Sequence, residues 1–157
     1  MRIGQSTDIH AWTKDRPLIL GGVHIPYDKG LLGHSDADAL THAIIEAIIG
    51  ACALGDIGKH FPDTDPQYKG ISSLKLLEMT TTLMKEQGYK LVNCDSLVLI
   101  EKPQLSPFIQ QMRLNIAQAI SCDLNQINIK ATRGEKIGFV GREEGVVAQA
   151  IVLLERI

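Results

Sequence analysis

The sequence predicts an α+β fold, one sheet with three helices on one face, and three observations lead there. Strand-like stretches at residues 1–11, Leu91–Ile100, Ile127–Ala131 and Gly145–Leu154 are interleaved with helix-like ones. The helical stretches carry start and stop signals at both ends. The 157 residues make one domain-sized chain, 1–157, large enough to bury a real core. Strands and helices alternating in such a chain settle as a sheet covered by helices.

The elements follow in order. Leu18-Ile19-Leu20 and Val23-His24-Ile25 flank Gly21-Gly22, a two-residue hairpin signal. A helix begins near Asp38, with Asp36 or Asp38 as its cap, and runs to about Ala53. A loop then carries Gly55-Asp56-Ile57-Gly58 and Phe61 to Pro66. The second helix starts at Ser72 or Ser73 and stops at Gly88, a good C-terminal signal. Ser106-Pro107 opens a third helix with the apolar stripe Ile109, Met112, Ile116 and Ile120. The first helix has its main stripe at Leu40, Ile44, Ala47 and Ala51, but Ile45 and Ile49 load the flank that carries His42. A helix apolar on several sides is buried on several sides. A partner subunit is the expected cover, for that flank and for the second face of the sheet.

Net charge is -2 and the isoelectric point about 6.2, so the chain has no basic footprint for nucleic acid. No apolar run approaches a membrane span. No signal peptide is visible at the amino end. Cys52, Cys94 and Cys122 are odd in number and lack C-x-x-C spacing, which fits reduced thiols in a cytoplasmic protein.

The chemistry concentrates early. Asp8 and His10 point to one side of a strand, and His34-Ser35-Asp36-Ala37-Asp38 runs on to His42 at the head of a helix. An isolated D-x-H more often caps a turn or ends a strand. Asp, His and His together, however, make the three-ligand set of a catalytic divalent metal with one position open. Further on, Thr132-Arg133-Gly134-Glu135-Lys136 follows a strand end. Such a turn can aim backbone N–H groups at an anion, and Glu135 suits a hard cation between phosphate oxygens. Asp56 and Asp63 can bond substrate hydroxyls. Glu101 to Ser106 reads as a rigid loop without a catalytic look.

In this order the segments resemble the 2-C-methyl-D-erythritol 2,4-cyclodiphosphate synthase family. The resemblance spans nearly the whole chain. It runs from Arg2-Ile3-Gly4, Asp8 and His10 through Gly21-Gly22, Ile25-Pro26 and Gly30 to Asp38 with His42. It continues through Gly55 to Asp65, Lys130-Ala131-Thr132 and Glu135-Lys136, and then Gly138-Phe139, Gly141-Arg142 and Glu144-Gly145. The resemblance implies a ferredoxin-like two-layer sandwich with a mixed sheet, assembled as a homotrimer with active sites between subunits. It implies Zn²⁺ on Asp8, His10 and His42, and a second divalent cation, Mg²⁺ or Mn²⁺, on Glu135. The substrate implied is 4-diphosphocytidyl-2-C-methyl-D-erythritol 2-phosphate, closed to a 2,4-cyclodiphosphate with release of CMP.

By the same resemblance, Asp8, His10, His34, Ser35, Asp56, Ile57, Gly58, Phe61, Pro62, Asp63, Thr64 and Asp65 hold the sugar alcohol and its phosphate. Ile100, Glu101, Lys102, Pro103, Gln104, Leu105 and Ser106 receive the cytosine. Thr132, Arg133, Gly134 and Glu135 form the phosphate turn, and Phe139 and Arg142 are further binding positions. His34, Arg133 and Glu135 hold the catalytic positions. The chain departs from the family at 132–134, where many members have three threonines and this one has Thr132-Arg133-Gly134, and at Gln104, where a basic residue is usual. The reaction suits a chain without a Ser-His or Cys-His pair, because a phosphate ionised at neutral pH is its own nucleophile. Two other readings of the metal set are a zinc phosphohydrolase that activates water and a trimeric binding module with a structural zinc.

Overall fold

The computed structural model describes residues 1–157. A long strand β1 (Arg2–Thr13) leads into a hairpin of β2 (Leu18–Leu20) and β3 (Val23–Ile25), then a short β4 (Gly30–Leu31). Helix α1 (Ala39–Ala51), the single turn α2 (Ile57–His60) and helix α3 (Ser73–Glu86) follow. Strand β5 (Tyr89–Leu99), helix α4 (Ile109–Ile120), strand β6 (Ile127–Thr132), the turn α5 (Gly138–Gly141) and strand β7 (Gly145–Arg156) complete the chain.

Five strands form one mixed sheet in the order β4-β1-β7-β5-β6. β7 runs antiparallel to both β1 and β5, while β5 and β6 are parallel. The carboxyl ends of β1, β5 and β6 therefore share one end of the sheet, with the start of β7 between them. The long helices α1, α3 and α4 lie side by side on one face. Gly4 sets the closest approach: a Cβ there would stand 1.8 Å from the Ala47 carbonyl oxygen, so α1 rests directly on β1. That contact carries His42 of α1 towards Asp8 and His10 of β1.

The expected helices and hairpin form at their expected places. Asp38 caps α1, accepting from Thr41 N at 3.0 Å and Thr41 Oγ1 at 2.7 Å. It also accepts from Gly21 N at 2.9 Å and Gly22 N at 2.7 Å, so one fully buried carboxylate ties the hairpin turn to the helix start. Both glycines have positive φ, 54° and 70°, as a tight two-residue hairpin requires.

One expectation is overturned. Ile45 and Ile49 are 0% and 1% exposed within the single chain, so no partner is needed to cover that flank. α1 is the central helix, packed against β1, β7, α3 and β2, and its own chain surrounds it. The second face of the sheet is different. Ile3, Ile9 and Ile151 stand 73%, 59% and 53% exposed there, alternating with inward residues such as Gly4 and Val152. All three cysteines are free, and burial pushes the Cys94 thiol up to about 12. No helix is long and apolar enough to cross a membrane.

Candidate active site

The three proposed ligands meet. His10 Nε2 lies 2.8 Å from Asp8 Oδ2, and His42 Nδ1 lies 3.5 Å from the same oxygen. One ligand atom from each falls within 4.8 Å of the others. The two rings stand 5.7 Å apart at 54°, so both aim at the space beside Asp8 without stacking.

Each ring has its far nitrogen engaged, which tests whether a metal fits. His10 Nδ1 lies 2.7 Å from the Leu32 carbonyl. A carbonyl only accepts, so Nδ1 carries a proton and Nε2 is the nitrogen that faces Asp8. His42 Nε2 lies 3.0 Å from Ser35 Oγ and 2.9 Å from Ser73 Oγ, leaving Nδ1 for the centre. Metal-bound histidines are held in this way by their outer partners. The residues fit a three-ligand divalent site.

Electrostatics agree. Burial alone would raise the Asp8 carboxyl, but the His10 hydrogen bond and the positive charge that the two neighbouring imidazoles can carry outweigh it and hold Asp8 well below the usual carboxylate range. Burial works the other way on His10, and there the Asp8 hydrogen bond and charge prevail, raising its pKa. A proton shared between Asp8 and His10 occupies the place where a cation can replace it.

Around this centre is a cleft of about 400 Å³ lined by Asp8, His10, His34, Ser35, His42, Ile57, Gly58, Phe61, Pro62 and Asp63, all anticipated, together with Gly33, Tyr68 and Leu76. Asp56, Thr64 and Asp65 do not line it. Asp56 caps α2 through Lys59 N at 3.0 Å, and Asp65 caps the turn at 66–68 through Gln67 N at 3.0 Å. The Asp65 carbonyl lies 3.3 Å from His34 Nε2. The segment 33–35 is pinned by Arg16, whose guanidinium donates to the Gly33 carbonyl and, at 2.8 Å, to the Ser35 carbonyl.

A second cleft, about 510 Å³, is lined by all of Ile100 to Ser106, by Thr132 and Arg133, and by Ile109, Ala131 and Lys136. It shares no residue with the first. Beside it, the turn after β6 holds Glu135 and Lys136 at φ 53° and 61°. Two of its backbone donors, which the sequence suggested could face an anion, are already engaged within the chain. Gly134 N and Lys136 N donate instead to the Glu101 carboxylate, at 2.9 and 3.3 Å. The basic side chains of Arg133 and Lys136 line the cleft. Glu135 is exposed and has no hydrogen bond or ion pair within the chain. Phe139 packs near Gly145, and Arg142 pairs with Glu144 at 2.6 Å; neither lines either of these two clefts.

Sequence reasoning missed Arg16, the Glu101 clamp and the role of Ser73 beside His42. Nothing around Arg16 signals its task. Ser73 reads as a helix start, and only folding brings α3 against α1. Glu101 precedes a proline-containing loop, whereas its partners lie a strand and a helix further on.

An Asp-His-His group able to hold a divalent cation opens into one cleft. A second cleft carrying Lys102, Arg133 and Lys136 lies at the same end of the sheet, the arrangement of an enzyme for an anionic substrate. Comparison with known proteins gives the particular family. The YgbB family model matches residues 1–155. The 2-C-methyl-D-erythritol 2,4-cyclodiphosphate synthase of Chloroherpeton thalassium is 58% identical over 157 residues, all of both chains. Among solved structures, the bifunctional IspDF of Campylobacter jejuni superposes with a TM-score of 0.95 at 42% identity, over 99% of this chain and 42% of that one. The CDP complex of Plasmodium falciparum IspF gives 0.86 at 32%, over 99% and 96%. The chain belongs to the YgbB family of 2-C-methyl-D-erythritol 2,4-cyclodiphosphate synthases.

Proposed function

We propose that this chain cyclises 4-diphosphocytidyl-2-C-methyl-D-erythritol 2-phosphate to 2-C-methyl-D-erythritol 2,4-cyclodiphosphate, releasing CMP, in the non-mevalonate route to isoprenoids. The observation that carries the reading is the three-ligand centre of Asp8, His10 and His42, open to its cleft. The family relationship supplies the substrate. The 2-phosphate oxygen attacks the β-phosphorus, the bond to the CMP oxygen breaks, and CMP takes the electron pair.

Zn²⁺ on Asp8, His10 and His42, and Mg²⁺ or Mn²⁺ on Glu135, would neutralise the phosphates and polarise the P–O bonds. The remaining work belongs to the side chains. Ser35 and His34 orient the phosphate over the centre. Ile57, Gly58 and Asp63 hold the methylerythritol, and Asp56, Thr64 and Asp65 build the loop behind them. Folding the tether so that nucleophile and phosphorus meet removes much of the entropic barrier. The loop from Ile100 to Ser106 receives cytosine through its backbone, so Gln104 is tolerated. Arg133 offers a guanidinium where relatives have a hydroxyl, and its charge-assisted bonds are roughly twice as strong as neutral ones. Thr132 and Gly134 shape that turn, while Phe139 and Arg142 act beyond the two clefts.

The two clefts lie at one end of the sheet but near different strands, β1 and β6. Three strand spacings separate them, roughly 14 Å at the usual interval. A homotrimer supports one continuous site if the β6 end of one copy adjoins the β1 end of the next. The exposed face bearing Ile3, Ile9 and Ile151 supplies the apolar surface for that assembly. On this reading the protein is a cytoplasmic enzyme of one domain, 1–157, with a ferredoxin-like sandwich in each subunit.

Product analysis tests the reaction. Incubated with the cytidine diphosphate substrate, the enzyme should release CMP and a cyclic diphosphate visible by ³¹P NMR. Release of inorganic phosphate instead would identify a hydrolase.

A further inference from the structure

The second hydrogen-bonding position of His42 is contested, and the contest decides which of its nitrogens a cation can use. Two hydroxyls reach Nε2, Ser35 Oγ at 3.0 Å and Ser73 Oγ at 2.9 Å. If a hydroxyl donates to Nε2, the imidazole proton moves to Nδ1 and points at Asp8, which blocks metal binding. If a hydroxyl accepts from Nε2–H, the Nδ1 lone pair is free.

Proton counting separates the two serines. The Ser73 hydroxyl proton is committed, because Ser73 Oγ makes a very short contact with Asp36 Oδ1 and a carboxylate can only accept. Asp36 is itself held by Ser73 N at 2.9 Å and Asp38 N at 3.1 Å, so it cannot swing away. Ser73 Oγ therefore shows His42 only lone pairs. Ser35 Oγ accepts from Ala37 N at 3.3 Å, and its own proton has no acceptor in the chain other than Nε2.

We propose that Asp36 and Ser73 are positioning residues that act through His42: the Asp36–Ser73 pair holds His42 with Nε2 protonated, presents Nδ1 to the metal, and releases the Ser35 hydroxyl proton for the substrate phosphate. The inference rests on the metal reading above and assigns it an outer anchor that the sequence shows only as a turn residue and a helix start. Two stretches distant in the chain, 34–42 and the start of α3, converge on one ring to do this. Ser73 is wholly buried, so solvent does not compete for the bond.

The test uses the full chain in metal-free form, titrated with Zn²⁺ against a competing chelator. Losing such an outer partner typically costs about 10–100-fold in metal affinity, and Ser73→Ala should lose affinity in that range. Ser35→Ala should keep wild-type zinc affinity. In ¹⁵N-imidazole spectra of the metal-free protein, wild-type His42 should be the Nε2–H tautomer in its neutral form. Ser73→Ala should shift it towards Nδ1–H. Asp36→Asn keeps an acceptor but not the charge, and should fall between wild type and Ser73→Ala in both readouts. It also provides the test if Ser73→Ala does not fold. Wild-type tautomer and affinity in the serine or aspartate variant would overturn the relay, as would loss of affinity in Ser35→Ala alone. Failure of the wild-type protein to bind Zn²⁺ would sink the metal reading instead, while the tautomer spectra would still decide the relay.

Discussion

The two clefts are built by opposite means. Around Asp8, His10 and His42, nearly every polar atom has a partner from another element: Leu32, Ser35, Ser73, and Arg16 holding the loop above. Around Arg133 to Lys136 the chain turns through two positive-φ residues, one clamp from Glu101 orders the backbone, and Glu135 projects without a partner. The first half is assembled before any ligand arrives. The second is a frame awaiting charge from elsewhere: cation, substrate or a neighbouring copy. Preorganisation is thus concentrated at the Asp-His-His group, and adaptability at the turn that carries Arg133 and Glu135.

Breaking the rigid half should have the largest effect. His42→Ala should lose zinc by metal analysis, and lose turnover by more than the roughly 10–100-fold that an outer partner is worth. Next comes the link between halves. Ile151→Lys on the exposed sheet face should give a smaller mass by light scattering and a matching fall in activity, with zinc still bound. An unchanged mass would mean that face is not the interface.

The adaptable half should respond more mildly. Glu101→Ala frees the turn at 134–136 and should reduce turnover about tenfold, the cost of roughly one 1.4 kcal/mol interaction, with zinc content unchanged. Arg133→Thr should remain active but depend more steeply on added Mg²⁺ in a titration, because a cation must then supply the charge that the guanidinium gave. An unchanged titration would make Arg133 a solvated residue.

The smallest effect is on stability. His10 has a raised pKa, so in the metal-free protein its stabilising pair is complete below the ordinary 6.5 and fades as pH rises through the raised value. Asp8 is depressed, so its contribution is present above the ordinary 3.8 and is lost as pH falls through the lower folded value. Metal-free Tm should therefore be highest between those limits, falling at about 2–4 °C per kcal/mol lost. Zinc affinity should move the other way above pH 6.5, since the ion must displace the His10 proton. Parallel trends in both measurements would contradict the shared-proton geometry.

Much of this was legible in the residues. The side-by-side placement of Asp8 and His10 follows from strand geometry, and Gly21-Gly22, Asp38 and Gly88 mark real boundaries. The short elements α2, α5 and β4 escaped because four residues or fewer carry no periodicity. Ile45 and Ile49 were misassigned for a deeper reason: a pattern reports that a surface is buried, not by what. The Glu101 clamp and the Ser73 bond depend on contacts across 33 and 31 residues of chain, which no local spacing encodes. Whole-chain resemblance named residues for both clefts but could not say that Asp56 and Asp65 act as caps.

Asp38 couples the β2–β3 hairpin to α1. By accepting from Gly21, Gly22 and Thr41 at once, it makes the hairpin and the first turn of α1 a single cooperative unit. Local opening of either must break the other's hydrogen bonds, so the two share one opening free energy. His42 lies in that same turn. An ion held by His42 should therefore slow amide exchange at Gly21 and Gly22, residues that would never touch it, and the hairpin would become a remote reporter of metal occupancy.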